Sequence, residues 1–560
     1  MRCDLSLGVI KKNIGTMLLG NSECHGHMPA FAEKVSGKYK YWMWNELISD
    51  VTGVIRFLTG KGLKPGDRVA FLAGNSYRRL VAELAVMSSG MTSVPVFAGY
   101  SKGLICELIK FSDVSAVVVD GYRYDAADVP LVFDLRFFDD MTKYTPGGDI
   151  EHVMTGVDDD SLAVIMFTSG TSGSPKGVQL THANLMSQQK ALKILWAPEP
   201  GMRFLCYLPW HHSFGGLFER FFALSSGGCL AVDDSGGKNV DKLLENYLEI
   251  KPNIFFSVPK IYQEITARMA SSKAVERGFF HDGLKFIFTA AAPLPLSTSE
   301  IFKAKKVPVI EGWGLTETSP CCTLTSMDVD RKLGVVGFPM PGVEVKIGEE
   351  NEILVRGPNV MKGYFKQPEA TARVLDNEGW FKTGDIGEIT EDGLRIISRK
   401  DRMFKLSNGE KIFPSVIEEN LKAKCRFIKH AYVFGQGQSN PLAIIFPNTE
   451  LIEAARSGEC GGSGCSFPAC LNEFARCLGK CIVDVNHTAC GKIDRVQKVM
   501  IVDTELTIER NELTPSFKLI PKRIEENFRT FMHSLEVDRI NELPGNIYVV
   551  ELAAESVRRK

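Results

Sequence analysis

The sequence predicts an α/β protein in which a β-rich subdomain completes a large N-terminal domain, followed by a smaller α+β C-terminal domain. Three observations carry this prediction. Short runs rich in Val, Ile and Phe alternate with amphipathic helical patterns through roughly the first 330 residues. After about residue 335 the texture shifts to short strands and turns. A charged connector, Ser398-Arg-Lys-Asp-Arg-Met403, then interrupts the pattern. A chain of 560 residues also exceeds the size at which one hydrophobic core stops growing.

In the first region, Arg68–Leu72, Ala116–Asp120, Ala163–Phe167 and Phe286–Ala290 read as buried strands, because each apolar run is too short for a helix. Trp44–Thr59 and Tyr77–Gly90 carry helical periodicity. The alternation of the two predicts parallel sheets covered by helices. Val343–Ile347 and Glu352–Arg356, with the turns at Gly363-Tyr and Asp392-Gly, are assigned to the β-rich subdomain. The connector places a boundary between residues 1–400 and 401–560. Beyond it, Asn408-Gly409 predicts a hairpin turn, and Ser415–Cys425 a helix whose Ser-Val-Ile-Glu start fits a capping box. Lys498–Val502 reads as a final strand.

Composition narrows the function. An apolar fraction of 44% and a charged fraction of 24% describe a soluble globular protein rather than a disordered or fibrous one. With 66 basic against 67 acidic residues, the charge balance carries no signal for nucleic acid. The longest apolar region, Leu80 to Phe97, is broken by Glu83 and a Ser-Ser-Gly turn, so it reads as helix and strand rather than a membrane span. Without an export signal, the expectation is a cytoplasmic protein whose 14 cysteines are mostly reduced. Six of them, Cys460, Cys465, Cys470, Cys477, Cys481 and Cys490, fall close together, but no pair has the Cys-x2-Cys spacing that makes metal binding persuasive. A loop followed by a helix with buried thiols is the expectation there.

The chemistry is announced by Thr168-Ser-Gly-Thr-Ser-Gly-Ser-Pro-Lys-Gly177, directly behind Ala163–Phe167. Five hydroxyls, three glycines and a lysine make a polyphosphate cradle: glycines let backbone N–H groups approach phosphate oxygens, and the hydroxyls and ammonium add donors. The usual P-loop, Gly-x-x-x-x-Gly-Lys-Ser/Thr, is excluded, because after four intervening residues Gly170 is followed by Pro175 rather than glycine. A different class of ATP user is implied. Four more glycine-punctuated motifs follow: Thr289-Ala-Ala-Ala-Pro293, Glu311-Gly-Trp-Gly-Leu-Thr-Glu317, Trp380-Phe-Lys-Thr-Gly-Asp385, and Arg399-Lys-Asp-Arg-Met-Phe-Lys405 with Gly409.

In order and wording these five motifs resemble the adenylate-forming superfamily of acyl-CoA synthetases, luciferase-like enzymes and peptide-synthetase adenylation domains, over about residues 40–530. The resemblance implies that superfamily's fold, with a large ATP- and acyl-binding N-terminal domain and a mobile C-terminal domain. It implies attack of a carboxylate on the α-phosphorus of ATP, giving acyl-AMP and pyrophosphate, then thiolate attack on the acyl group. Thr168, Ser169, Gly170, Thr171, Ser172, Gly173 and Lys176 then grip phosphates, with Ala291 and Gly314 beside the nucleotide. Trp313 stacks on adenine, Thr316 reaches the α-phosphate, Glu317 holds Mg²⁺, Asp385 accepts the ribose hydroxyls and Arg399 supports them. The adenylation lysine is Lys518, in a Leu-Thr-Pro-Ser-Phe-Lys segment, with Lys492 in Gly491-Lys-Ile-Asp-Arg495 as the alternative. Asp401 falls at the hinge, about which Lys518 and then the Gly409 region are presented.

Leu208-Pro-Trp-His-His-Ser-Phe214, Ser257-Val-Pro-Lys-Ile-Tyr-Gln263 and the Lys518 segment resemble long-chain fatty acyl-CoA synthetases most, with His212 beside the acyl channel and Trp210 and Phe214 either shaping that channel or packing in the core. The substrates so implied are a medium- to long-chain fatty acid, ATP and coenzyme A, with Mg²⁺. A carrier protein as acyl acceptor and an inactive nucleotide-binding regulator stay open as alternatives. Fatty acids partition into bilayers, which keeps peripheral membrane contact open as well.

Overall fold

The computed structural model describes residues 12–122, 124, 129–145, 148–168, 176–290, 292, 294–327, 332, 334–425, 427–456, 471–488, 495–507, 509–513, 519–537 and 547–551. Two largely parallel sheets organise the first part. The larger has seven strands in the order Gly363–Tyr364, Lys176–Thr181, Leu162–Thr168, Thr92–Pro95, Arg68–Leu72, Ala116–Val119 and Leu131–Asp134. Its centre is parallel, while Lys176–Thr181 returns antiparallel to Leu162–Thr168. Period-two alternation explains why helices cover both faces. Val69, Phe71, Ala116 and Val118 face the main core, and Ala70, Leu72, Val117 and Val119 face a second cluster closed by Ile105, Leu108 and Ile109 of the helix Lys102–Phe111.

The second sheet runs Ile254–Ser257, Phe286–Ala290, Val309–Trp313, Thr323–Leu324, Phe338–Pro339, with its first three strands parallel. A third sheet pairs Arg203–Cys206 and Cys229–Val232 with the hairpin Pro29–Val35 and Lys38–Met43. The β-rich region is an antiparallel sheet of Glu344–Ile347, Glu352–Arg356, Phe381–Thr390 and Gly393–Arg399. Gly363–Tyr364 is not part of it: contrary to the sequence reading, it crosses to the edge of the seven-stranded sheet and pairs with Val178 and Gln179. Two residues of strand carry too little pattern to reveal their partner.

After the turn Lys400–Arg402 come the short hairpin Phe404–Lys405 and Lys411–Ile412 and a four-stranded sheet of Ile428–Phe434, Leu442–Pro447, Lys498–Val502 and Ile547–Glu551. Each face of that sheet has its own core. Val433, Ala443, Ile445, Val499 and Ile501 pack under Pro414–Lys424 and Leu471–Thr488, while Tyr432, Ile444, Phe446 and Met500 pack under Pro521–Asn527 and Arg529–Glu536. The expected capping box is absent. The helix starts at Pro414 with Phe413 at the N-cap, the Ser415 hydroxyl lies 3.2 Å from that of Ser398, and Glu418 accepts from Val433 N–H at 2.7 Å. Proline at the first helical position sets this start, since it needs no N–H partner there. The helix Leu471–Thr488 carries Cys481 buried and Cys477 half-buried, whereas Cys460, Cys465, Cys470 and Cys490 lie outside the described residues. No helix among the described residues is long and apolar enough to cross a membrane.

Candidate active site

Antiparallel pairing of Leu162–Thr168 with Lys176–Thr181 sets Thr168 opposite Lys176, so the two flanks of the phosphate loop stand side by side. Lys176 begins a strand rather than a helix, so no helix N-terminus follows the loop as it would in a P-loop. Ser169, Gly170, Thr171, Ser172 and Gly173 lie outside the described residues, as do Ala291, Lys492 and Lys518.

Two clusters gather most of the remaining candidates. The first is built on a strand register. Asp385 and Arg399 are cross-strand partners in the β-rich hairpin, and the Arg399 guanidinium donates to Asp385 Oδ1 at 2.9 Å. Trp313, at the end of its own strand, donates from Nε1 to Asp385 Oδ2 at 2.9 Å. Asp385 is buried, and its backbone N–H donates to the Thr383 hydroxyl at 3.1 Å. Each carboxylate oxygen therefore accepts at least one hydrogen bond from a fixed donor, which sets the orientation of the carboxylate. The indole N–H as a clamp on Asp385 was not read from the sequence, where Trp313 was expected to offer a ring face alone.

The second cluster lies on the turn that follows. Gly314 is required at its start, because a Cβ there would meet the Pro320 carbonyl oxygen at 2.0 Å. Thr316 and Glu317 begin a 3-10 turn, Thr316 Oγ1 donates to Ser213 Oγ at 3.1 Å, and Glu317 Oε1 accepts from the Tyr364 hydroxyl at 2.9 Å. Burial, followed by the charge of Glu317, holds the Tyr364 phenol well above its ordinary pKa, so it stays a donor. The Lys176 ammonium sits 4.8 Å above the Tyr364 ring, a cation–π contact. Lys176 and Glu317 are thus joined through Tyr364. Ser213 and Tyr364 were missed as site residues; a hydroxyl beside two histidines and an aromatic after a glycine were the only signals.

The loop Leu208–Phe214 reaches this cluster through Ser213. Trp210 is fully buried between the guanidiniums of Arg79 and Arg220, 5.7 and 5.1 Å from its ring centre, and Phe214 is also buried, so both pack in the core. His212 is half-buried and its Nδ1 accepts from Phe214 N–H at 3.4 Å. Burial first, then Arg79 and His212, lower the His211 pKa to about 3, so that ring is neutral. The loop runs into the π-helix Phe214–Glu219, whose Gly216 carbonyl accepts from Arg220 at 2.9 Å. Asp401 lies two residues beyond Arg399, its carboxylate 3.7 Å from Arg399 Nε. Gly409 closes its own turn at φ +84°, donating to the Leu406 carbonyl at 2.9 Å.

A family model described as AMP-binding enzyme matches residues 21–365, more than half of the chain, and one described as AMP-binding enzyme C-terminal domain matches residues 401–535. The chain belongs to the AMP-binding enzyme family. Among proteins of this kind it is 26% identical over 599 aligned residues to the peroxisomal long chain acyl-CoA synthetase 7 of Arabidopsis thaliana, covering 91% of this chain and 84% of that protein. It is 27% identical over 612 residues to long-chain-fatty-acid--CoA ligase 5 of Rattus norvegicus, covering 93% and 87%. The fold is that of solved adenylate-forming enzymes. ATP-bound MatB from Rhodopseudomonas palustris superposes with a TM-score of 0.76 at 23% identity, covering 93% of this chain and 99% of that one. O-succinylbenzoate coenzyme A synthetase (MenE) from Bacillus subtilis, in complex with AMP, gives 0.74 at 21%, covering 91% and 98%. The expected family and fold are therefore borne out.

Proposed function

We propose that this AMP-binding enzyme activates a medium- to long-chain fatty acid as its acyl-adenylate, releasing pyrophosphate, and passes the acyl group to the thiol of coenzyme A. The observation that carries the reading is the joining of Trp313, Asp385 and Arg399 in one bonded cluster and of Glu317, Tyr364 and Lys176 in a second, with Trp313 and Glu317 at the two ends of one short segment. The first group suits a nucleoside: a flat ring and an acceptor carboxylate of fixed orientation. The second suits phosphates, with Lys176 at the foot of the hydroxyl- and glycine-rich loop. The names of the curated relatives supply the fatty acid and the acceptor.

Two anions meet in the adenylation step, so catalysis is chiefly alignment and charge neutralisation. Thr316 is the proposed donor to the α-phosphate, its single hydroxyl proton turning from Ser213 to the phosphate, and Lys518 is the proposed adenylation lysine on its motif alone. Glu317 fits a metal, because Mg²⁺ bound with phosphates needs only one or two carboxylates, and Tyr364 fixes the orientation of this one. When bound, Mg²⁺ would neutralise phosphate charge beside Glu317. We also propose the division of the chain at residues 400 and 401, with rotation at Asp401 carrying first Lys518 and then the Gly409 turn to the nucleotide.

Acid-dependent exchange of pyrophosphate into ATP, measured across C2 to C20 and aromatic acids, tests the reading, followed by mass detection of the CoA thioester. An optimum among C8 to C20 acids with thioester formed supports it. Exchange without thioester points to a carrier-protein acceptor, ATP binding without exchange points to a regulator, and a short-chain or aromatic optimum overturns the fatty acid.

A further inference from the structure

Beside the side of the site proposed to bind phosphates lies a pocket of about 410 Å³, and of its described lining only Lys176 belongs to the five motifs. Its wall is shared with the site through Lys176, and the rest comes from the segment after Tyr364, including Lys366, Gln367, Glu369 and Arg373. The volume falls in the range of small-ligand pockets. Among the described residues that line it, three cations face one carboxylate, so the charge they present is positive.

Each cation is placed differently. Lys176 stands over the Tyr364 ring, whose hydroxyl is given to Glu317, so the lysine separates the phosphate side of the site from the pocket. Lys366 is pinned at the rim by the Phe111 carbonyl at 3.0 Å and by an ion pair with Asp113, which offsets part of its charge. Arg373, on the helix Pro368–Val374, has no ion-pair partner among the described residues. An exposed guanidinium beside two ammonium groups matches a small phosphate polyanion, which arginine can grip through two oxygens at once.

We propose that this pocket receives the pyrophosphate leaving group, drawn out past Lys176 after adenylation and held by Lys366 and Arg373 before release. The proposal rests on the adenylate-forming reading above. It gives the leaving group a place outside the nucleotide site, so that the acceptor thiol meets an acyl-adenylate no longer facing the phosphate that would reverse its formation. The phosphates of coenzyme A offer the same chemistry, and the test separates the two sources.

The test uses the full-length protein, wild type and the Lys366→Ala/Arg373→Ala double variant, with Glu369→Gln as a control of opposite sign. Pyrophosphorolysis of acyl-AMP gives KM for pyrophosphate, the forward reaction gives KM for ATP, and thioester formation from supplied acyl-AMP gives KM for CoA. The double variant is expected to raise KM for pyrophosphate roughly tenfold, equivalent to about 1.4 kcal/mol, with KM for ATP and for CoA within about twofold of wild type. Glu369→Gln is expected to lower KM for pyrophosphate by roughly threefold, and salt should erode both effects. An unchanged KM for pyrophosphate, an equal rise for ATP, or a rise for CoA alone overturns the proposal. If the wild type shows no acid-dependent exchange, the functional reading fails separately. Calorimetric titration with pyrophosphate, with inorganic phosphate as the comparison, then decides the pocket: tighter binding of pyrophosphate that the double variant weakens supports it, and identical isotherms refute it.

Discussion

Trp313→Phe removes the indole N–H that donates to Asp385 Oδ2 at 2.9 Å and keeps a flat ring for a base to lie against. It therefore separates two roles that the sequence merges into one aromatic position. A hydrogen bond to a charged group contributes about 1.5–3 kcal/mol. Trp313 is only half-buried and Arg399 still holds Oδ1, so the low end applies, about 1–2 kcal/mol, or roughly 5- to 30-fold in KM for ATP. Trp313→Ala loses the ring as well, and base–aromatic stacking adds about 1–3 kcal/mol. The assay is ATP dependence of acid-stimulated pyrophosphate exchange in Trp313→Phe, Asp385→Ala and the double variant. If the indole acts by holding the carboxylate, the two losses are not additive, and the cycle shows a coupling of about 1 kcal/mol. Additive losses, or a Trp313→Phe enzyme with wild-type KM for ATP, would refute the clamp and leave Trp313 a ring alone.

Four further outcomes are expected. Glu83 is fully buried between Arg220 at 2.7 Å and Arg79 at 3.3 Å, so Glu83→Gln leaves two guanidiniums uncompensated and costs about 3–5 kcal/mol, read as a lower urea midpoint. His182 is fully buried, its Nδ1 accepts from Ile14 N–H at 3.3 Å, and burial lowers its pKa to about 4. Its folded pKa lies below the unfolded value near 6.5, so this stability is present above about pH 6.5 and is lost as pH falls toward 4, by up to about 3 kcal/mol. His182→Asn should flatten that part of the pH–stability curve, and an unchanged slope refutes the assignment. Gly314→Ala drives a Cβ against the Pro320 carbonyl and should cost about 1–3 kcal/mol in thermal unfolding while displacing Thr316, with exchange activity falling at least about tenfold. Asp401→Pro should impair thioester formation from supplied acyl-AMP more than adenylation, and equal losses would argue against a pivot there.

What the sequence reveals divides along the range of the forces involved. Arg68–Leu72, Phe286–Ala290, Glu352–Arg356 and Lys498–Val502 appear as strands with the predicted bounds, because four or five consecutive apolar or alternating residues decide their own local geometry. The pairing of Asp385 with Arg399 follows from a hairpin, so both were legible as motif residues from nearby sequence. Tyr364 was not. Its strand is two residues long and joins Val178 in the seven-stranded sheet rather than the β-rich sheet of its sequence neighbours, a choice made by long-range packing that period-two patterning does not encode. Ser213 was hidden for a related reason, since its bond to Thr316 joins segments about a hundred residues apart. The capping box failed at Ser415 because a hydroxyl in a helix-start motif takes whichever partner the fold offers, here Ser398.

The same contrast argues for where the chain can turn. Asp385 and Arg399 are locked by sheet register as well as by charge, so a rotation that began before Arg399 would have to break strand pairing and disturb the Trp313–Asp385–Arg399 cluster together. One residue later the constraints change character. Lys400 is held by Glu350 at 3.1 Å and Glu352 at 3.0 Å, and Lys411 reaches Glu350 at 3.6 Å, with most of these groups well exposed. Exposed ion pairs contribute about 0–1 kcal/mol each and weaken with salt. On the far side Arg402 is already committed to the small sheet, bonded to Glu418 at 2.5 Å and lying over the Tyr432 ring at 4.3 Å. Asp401 therefore stands between two well-fixed residues, and the rotation proposed there would break these ion pairs and the contact of Ser415 with the buried Ser398 while leaving the register of Asp385 and Arg399 intact.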